Sequence, residues 1–298
     1  MRQGTRKHEK GITMMALVHG ERLAYTDEGE GPPLLFVHGF PLNGDCWSKQ
    51  LDAFKATNRV LTPDLPGFGA SGPLVGPATM ARYAEDLFTL CQHLETGPVV
   101  MVGHSMGGYI ALAFARAYPL FLRGLVLVST KAAADAPDVA ATRRETAKKV
   151  QGGGFGALVK GLMPKMLSAR PSNPGLDQAV RNIMWTSSPH GVVAALLGMA
   201  DRPDQRGHLD ELRMPTLVVT GADDMLVPPG EAAELARGIP GAELVMIPEA
   251  GHLVAYEQPF AFNEALKAWL EALPDHEPGQ PPARLVTPPH TPSQGDPS

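Results

Sequence analysis

Gly103-His104-Ser105-Met106-Gly107-Gly108 stands directly after an apolar run, residues 99–102, and directly before a helix-period stretch, residues 106–118. A serine with glycines two before and two after it, strand behind and helix ahead, is the pattern of a nucleophile on a tight strand-to-helix turn. Glycines at those two positions remove side chains that would strike neighbouring elements. The turn holds the hydroxyl out at the sheet edge, and the helix N-terminus beneath it favours negative charge there. Ser105 is therefore read as a nucleophile.

Outward from this turn, short apolar runs alternate with helical segments. The runs are residues 34–38, 60–62, 99–102, 125–129, 217–220 and 244–247, and the helical stretches are 81–94, 106–118, 231–237 and 257–273. Near-continuous apolar strands separated by helices imply an α/β fold with a mostly parallel, twisted sheet flanked by helices. Residues 16–18 and 22–25 predict an antiparallel edge hairpin around His19-Gly20. The alternation stops over residues 131–208, which show helical patches at 140–150, 156–166, 176–184 and 190–199 and no strand pattern. That stretch lies between two strands, so it reads as a helical cap inserted over the C-terminal edge of the sheet, in a core made of residues 15–130 and 209–274. Gly152-Gly153-Gly154 lacks the preceding strand and the following Lys-Ser/Thr of a phosphate loop, and reads as a hinge between cap helices. Residues 1–14 read as a flexible lead-in. Residues 275–298, rich in Pro, Gly, Ser and Thr, read as a disordered tail.

Composition narrows the function. With 298 residues, 44% hydrophobic and 19% charged, the chain is long and apolar enough for one large α/β domain without metals or disulfides. The net charge of -5 leaves no basic footprint for nucleic acid or an anionic membrane. No apolar run approaches the ~18 residues that cross a bilayer, and the charged N-terminus has no signal-peptide pattern, so a cytoplasmic location is expected. Cys46 and Cys91 lack metal-ligand spacing and are expected as free buried thiols. No metal cluster, dinucleotide fingerprint or Schiff-base lysine stands in the catalytic context, so no metal and no cofactor is expected.

A serine hydroxyl is a weak nucleophile and needs a base oriented by a carboxylate. Beyond the strand at 216–220 the chain reads Gly221-Ala222-Asp223-Asp224-Met225-Leu226-Val227-Pro228, which puts two acids at a strand's C-terminal end. After the last strand comes Pro248-Glu249-Ala250-Gly251-His252-Leu253, where His252 is placed to reach Ser105 as its base. The developing oxyanion needs donors. The strand at 34–38 runs into His38-Gly39-Phe40-Pro41, so the backbone N–H groups of Phe40 and of Met106 are the candidates. His38 and His104 stand near this site and read as packing and hydrogen-bonding residues.

With these motifs in place, residues 16–273 resemble the α/β-hydrolases, and within them the capped esterase, enol-lactonase and cofactor-free haloperoxidase group. Asp64-Leu65-Pro66-Gly67-Phe68-Gly69-Ala70-Ser71, and Gly251-His252 followed by Glu257-Gln258-Pro259, add to the likeness. The family's G-x-x-D-x-x-x-P pattern, counted from Gly221, lands on Asp224 and Pro228, so the resemblance implies Asp224 as the triad acid. Haloalkane dehalogenases and epoxide hydrolases of this fold use an aspartate nucleophile, and Ser105 sets the chain apart from them. In the cap, Met163, Met166, Met184, Trp185 and Met199 are helix core by default and the expected pocket lining. Arg143, Arg144, Lys148 and Lys149 read as a solvated face. The expectation is a serine esterase that cleaves carboxylic esters of small to medium apolar substrates through an acyl-enzyme. Its small-molecule substrate is an ester or lactone. Enol-lactone, C–C bond or prolyl-peptide hydrolysis by the same triad is the alternative, and a non-catalytic ligand-binding α/β-hydrolase is the reading from another class.

Overall fold

All six residues of Val99–His104 are buried, and side chains alternate along a strand, so both faces of the sheet are covered at this point. In the computed structural model, which describes residues 13–74, 78–169 and 175–274, this strand lies inside an eight-stranded sheet. The strands are β1 (Thr13–Val18), β2 (Glu21–Glu28), β3 (Pro33–Val37), β4 (Arg59–Pro63), β5 (Val99–His104), β6 (Leu122–Val128), β7 (Thr216–Gly221) and β8 (Glu243–Ile247), in the order β1-β2-β4-β3-β5-β6-β7-β8. Neighbours from β4 to β8 pair in parallel, and β2 pairs antiparallel with both β1 and β4. Each apolar run read from the sequence is one of these strands.

The edge hairpin forms as expected, with Ala16 opposite Leu23, and its turn residues His19 and Gly20 take φ of 49° and 81°. Two residues with positive φ give the turn whose twist suits adjoining strands. The strand begins earlier than the lead-in reading allowed. Thr13 and Met14 are paired with Thr26 and Tyr25, and Met14 packs on a small cluster with Ala16, Val18, Leu23, Tyr25 and Leu90. The rest of the expected lead-in, residues 1–12, and the expected tail, 275–298, lie outside the described residues.

The helices are α1 (Ser48–Phe54), α2 (Met80–His93), α3 (Met106–Ala117), α4 (Pro137–Lys149), α5 (Phe155–Met166), α6 (Leu176–Met184), α7 (Pro189–Ala200), α8 (Pro229–Gly238), α9 (Val254–Glu257) and α10 (Pro259–Glu271). Thr79 starts α2 by accepting the Arg82 amide on its side chain, which satisfies one of the orphan donors of a helix start. The single helix expected over 257–273 is two. Gln258 takes φ −120° and ψ 61° ahead of Pro259, because proline disfavours helical backbone in the residue before it and donates no N–H. α1 was not visible in the sequence pattern, since seven residues are too few for a 3.6-residue period to register.

Between β6 and β7 the described chain is helical, from α4 to α7, and the three glycines at 152–154 fall in a wide-turn kink that joins α4 to α5. This inserted stretch bonds to loops at the carboxyl ends of the parallel strands. Ser187 Oγ donates to the Pro41 carbonyl, Asn43 Nδ2 to Thr186 Oγ1, and the Ser188 amide to the Gly67 carbonyl. It therefore lies over the edge that carries Ser105.

Candidate active site

Ser105 joins β5 to α3 with φ 53° and ψ −113°, a conformation that costs a non-glycine residue about 1–3 kcal/mol. The surrounding bonds hold it there. Its amide donates to the Val128 carbonyl (2.8 Å), and its own carbonyl accepts from Thr130 Oγ1 (2.8 Å) and the Gly108 amide (2.9 Å). A Cβ on Gly103 would meet the Gly107 backbone, and one on Gly107 would meet the Val37 carbonyl, which explains both glycines of the motif. The serine side chain is half-buried at this turn.

Asp224 follows β7 and is buried, with its carboxylate fully enclosed. Oδ1 accepts the Leu226 and Val227 amides, both at 2.9 Å, and Oδ2 lies 2.9 Å from His252 Nδ1. Burial alone would raise this carboxyl. The His252 hydrogen bond and charge, then the two amides, outweigh it and hold Asp224 below the ordinary carboxylate range. His252 sits after β8 and is 2% exposed. With Nδ1–H committed to Asp224, the lone pair falls on Nε2, the nitrogen a base would use. His252 is held at the elbow through its backbone: His104 Nε2 donates to the His252 carbonyl (2.9 Å), and the two rings lie 4.8 Å apart. Among the described residues the Ser105 hydroxyl makes no hydrogen bond; serine–base contacts often tighten only with substrate bound.

Asp223, the other acid of the loop, is exposed, and its Oδ2 accepts from Ser168 Oγ at 2.8 Å. Phe40 follows β3, half-buried, with its ring edge-on to Phe68 at 6.4 Å. Met106 is the first residue of α3, so its N–H has no partner within the helix. Both stand just beyond the carboxyl ends of the adjacent strands β3 and β5.

His38 and His104 are buried and neutral. Burial pushes His38 down to about 4, against the pull of its Gly39 carbonyl bond. Burial, and next the charge of His252, push His104 down to about 3. His38 Nε2 accepts the Leu65 amide (2.9 Å), so Nδ1–H donates to the Gly39 carbonyl. Both act as packing and hydrogen-bonding residues, as read from sequence.

Of the expected pocket residues, Met163, Met166, Met184 and Met199 are all buried within the main core cluster. Trp185 is not: it is 54% exposed, edge-on to Phe155 at 5.2 Å between ring centres. In the basic run, Arg143 pairs with Asp135, Arg144 with Asp201, and Lys148 with Glu145. Cys46 and Cys91 are buried free thiols. Among the described residues no helix is long and apolar enough to cross a membrane.

Glu257 is the residue that the sequence reading quoted without giving it a role. It is 3% exposed, and its carboxylate accepts the Gly251 amide on Oε2 and the Ser168 amide on Oε1, both at 2.8 Å. Burial pushes its carboxyl up, the two amides pull it back, and the charge of Asp223 adds to the rise. Its spacing from Gly251-His252, with α9 returning it to the loop, was the available signal.

With this sheet order the chain belongs to the α/β-hydrolase fold family, whose model matches residues 32–259. It is similar in structure to a thermophilic esterase from Thermogutta terrifontis, with TM-score 0.85 and 40% identity over 88% of this chain and 99% of that one. An enol-lactonase from Burkholderia xenovorans LB400 gives TM-score 0.81 and 26% identity, covering 87% of this chain and all (100%) of the other. A non-heme chloroperoxidase of Kitasatospora aureofaciens is 31% identical over 254 residues, 79% of this chain and 90% of the relative. A dihydrolipoyllysine-residue acetyltransferase component of an acetoin cleaving system, from Pseudomonas putida, is 31% identical over 251 residues, 80% of this chain; the chain spans 64% of that protein's length.

Proposed function

We propose that the protein is a serine esterase, with Ser105 as nucleophile, His252 as general base and Asp224 as the acid that orients it. The observation that carries this reading is the buried Asp224–His252 pair at 2.9 Å, tied through His104 to the strained Ser105 turn. His252 Nε2 takes the hydroxyl proton as Ser105 Oγ attacks the ester carbonyl, and Asp224 stabilises the imidazolium that forms. The tetrahedral oxyanion is received by the N–H groups of Phe40 and Met106. The imidazolium then protonates the leaving alcohol. Water, activated by the same base, hydrolyses the acyl-enzyme and frees Ser105.

The inserted helices act as a cap in this reading, and Met163, Met166, Met184 and Met199 line or back an apolar site for small to medium acyl or alcohol groups. Trp185, half in solvent, takes no part in it. The likeness to the Thermogutta esterase supports ester cleavage, and the likeness to the enol-lactonase makes lactones the second substrate class. A panel of nitrophenyl esters of rising chain length, lactones and prolyl amides, given to the full chain, tests the reading. Esters should turn over, and Ser105→Ala should lose at least about a thousandfold in rate. Turnover confined to lactones would select the second class. A Ser105→Ala variant keeping more than about a tenth of the activity would overturn the site itself.

A further inference from the structure

The polar backbone groups that flank His252 are tied to other parts of the chain. The Gly251 N–H goes to Glu257 Oε2 (2.8 Å), the His252 carbonyl to His104 Nε2 (2.9 Å), and the Leu253 N–H to the Met166 carbonyl (3.0 Å). Two of these ties lead to the inserted helices. Met166 is the last residue of α5, and the other oxygen of Glu257 holds the Ser168 amide two residues on. Ser168 Oγ in turn donates to Asp223, the neighbour of Asp224. Residues 166–168 thus touch both loops that carry the acid and the base.

The contact is close as well as polar. A Cβ on Gly251 would stand 2.5 Å from the Leu167 carbonyl carbon and from the Ser168 nitrogen. Among the described residues no cation pairs with Glu257, and it makes both its hydrogen bonds to backbone amides. A buried carboxylate is costly to desolvate, so filling space alone would favour an apolar side chain of similar volume. Its two oxygens instead match two amides that come from separate segments and would otherwise be buried without partners.

We propose that Glu257 is a positioning residue for His252: it clamps the histidine loop to residues 166–168, so the base is aligned only while the inserted helices are seated. The proposal rests on the triad reading and goes beyond it. Glu257 touches neither substrate nor reacting atoms, so loosening it disturbs alignment and leaves substrate binding in place. Misplacement on the ångström scale costs about a hundredfold in rate.

The test compares wild type, Glu257→Gln, Gly251→Ala and Ser105→Ala as full chains on a nitrophenyl acetate substrate. Functional sites are counted by titration with a fluorophosphonate, so any unfolded fraction drops out. Glu257→Gln keeps one acceptor and turns an amide NH2 toward the other backbone donor, breaking half of the clamp. Gly251→Ala wedges the same contact from the opposite side, and decides the matter if Glu257→Gln fails to fold. Both should lose about tenfold to a hundredfold in kcat per titrated site, with KM changed by less than about threefold. A folded Glu257→Gln within about twofold of wild-type kcat per site, or a loss carried by KM, overturns the proposal. Activity surviving in Ser105→Ala would instead overturn the triad on which it rests.

Discussion

Acidification from pH 7 to pH 5 should weaken the fold through two histidines that play no part in proton transfer. His38 and His104 are buried and held neutral, at about 4 and about 3 against an ordinary 6.5. In the unfolded chain each binds a proton once the pH falls below 6.5, while in the fold neither does until far lower. The unfolded state therefore binds more protons across this window, and stability falls as pH falls. At pH 5, about 1.5 pH units below the ordinary value, each histidine removes roughly 2 kcal/mol at about 1.4 kcal/mol per unit. The pair removes about 4 kcal/mol, a large share of a stability on the order of 5–15 kcal/mol. Asp224, held low, stabilises the fold fully above the ordinary carboxylate range and loses that contribution only as pH falls through its depressed value. Glu257, pushed up, has the opposite sign and gains as pH falls. Neither differs between wild type and a His38 variant. Urea unfolding followed by far-UV circular dichroism at both pH values provides the assay. His38→Gln, whose amide can both donate and accept, should lower stability at pH 7 yet lose about 2 kcal/mol less than wild type between pH 7 and pH 5. Equal losses in the two proteins would refute the reasoning.

Two further outcomes follow from particular contacts. Asp224→Asn should reduce kcat by about three to four orders of magnitude, because the amide no longer fixes the His252 tautomer or balances its charge, while Asp223→Asn should cost tenfold at most, roughly, since it can still accept from Ser168. Steady-state kinetics on one ester ranks the two, and the reverse order would move the acid to Asp223. Gly191→Ala should destabilise the fold by about 1–3 kcal/mol, because its Cβ would press on the Gly67 backbone, 2.5 Å from Cα, where α7 meets the core. Thermal melts read this directly, and an unchanged midpoint would show that α7 is not seated as described.

Much of the fold around the candidate site was legible because its parts are punctuated locally. Gly103 and Gly107 mark the elbow, the apolar runs around it are short and nearly unbroken, and His19-Gly20 announces its own turn. His252 and the Asp223-Asp224 pair each follow a recognisable strand, and the family pattern counted from Gly221 chose Asp224 of the two. What stayed hidden depends on three-dimensional neighbours with no period or spacing of their own. Ser168 and Asp223 meet across 55 residues, and Glu257 reaches Ser168 across 89. Trp185 was grouped with Met184 as expected pocket lining, yet it stands at the end of α6 with half its surface in solvent. The break at Gln258 was readable from Pro259, but the apolar pattern carried through it and masked the boundary.

The central claim is that Ser105 is the nucleophile and His252 its base, and covalent labelling tests this most directly. After reaction with a fluorophosphonate, intact mass and peptide mapping should show one adduct per chain, on Ser105. The adduct should be absent from Ser105→Ala and should form about a thousandfold more slowly in His252→Ala. Undiminished labelling of Ser105→Ala, or an adduct mapped to another serine, would contradict the account.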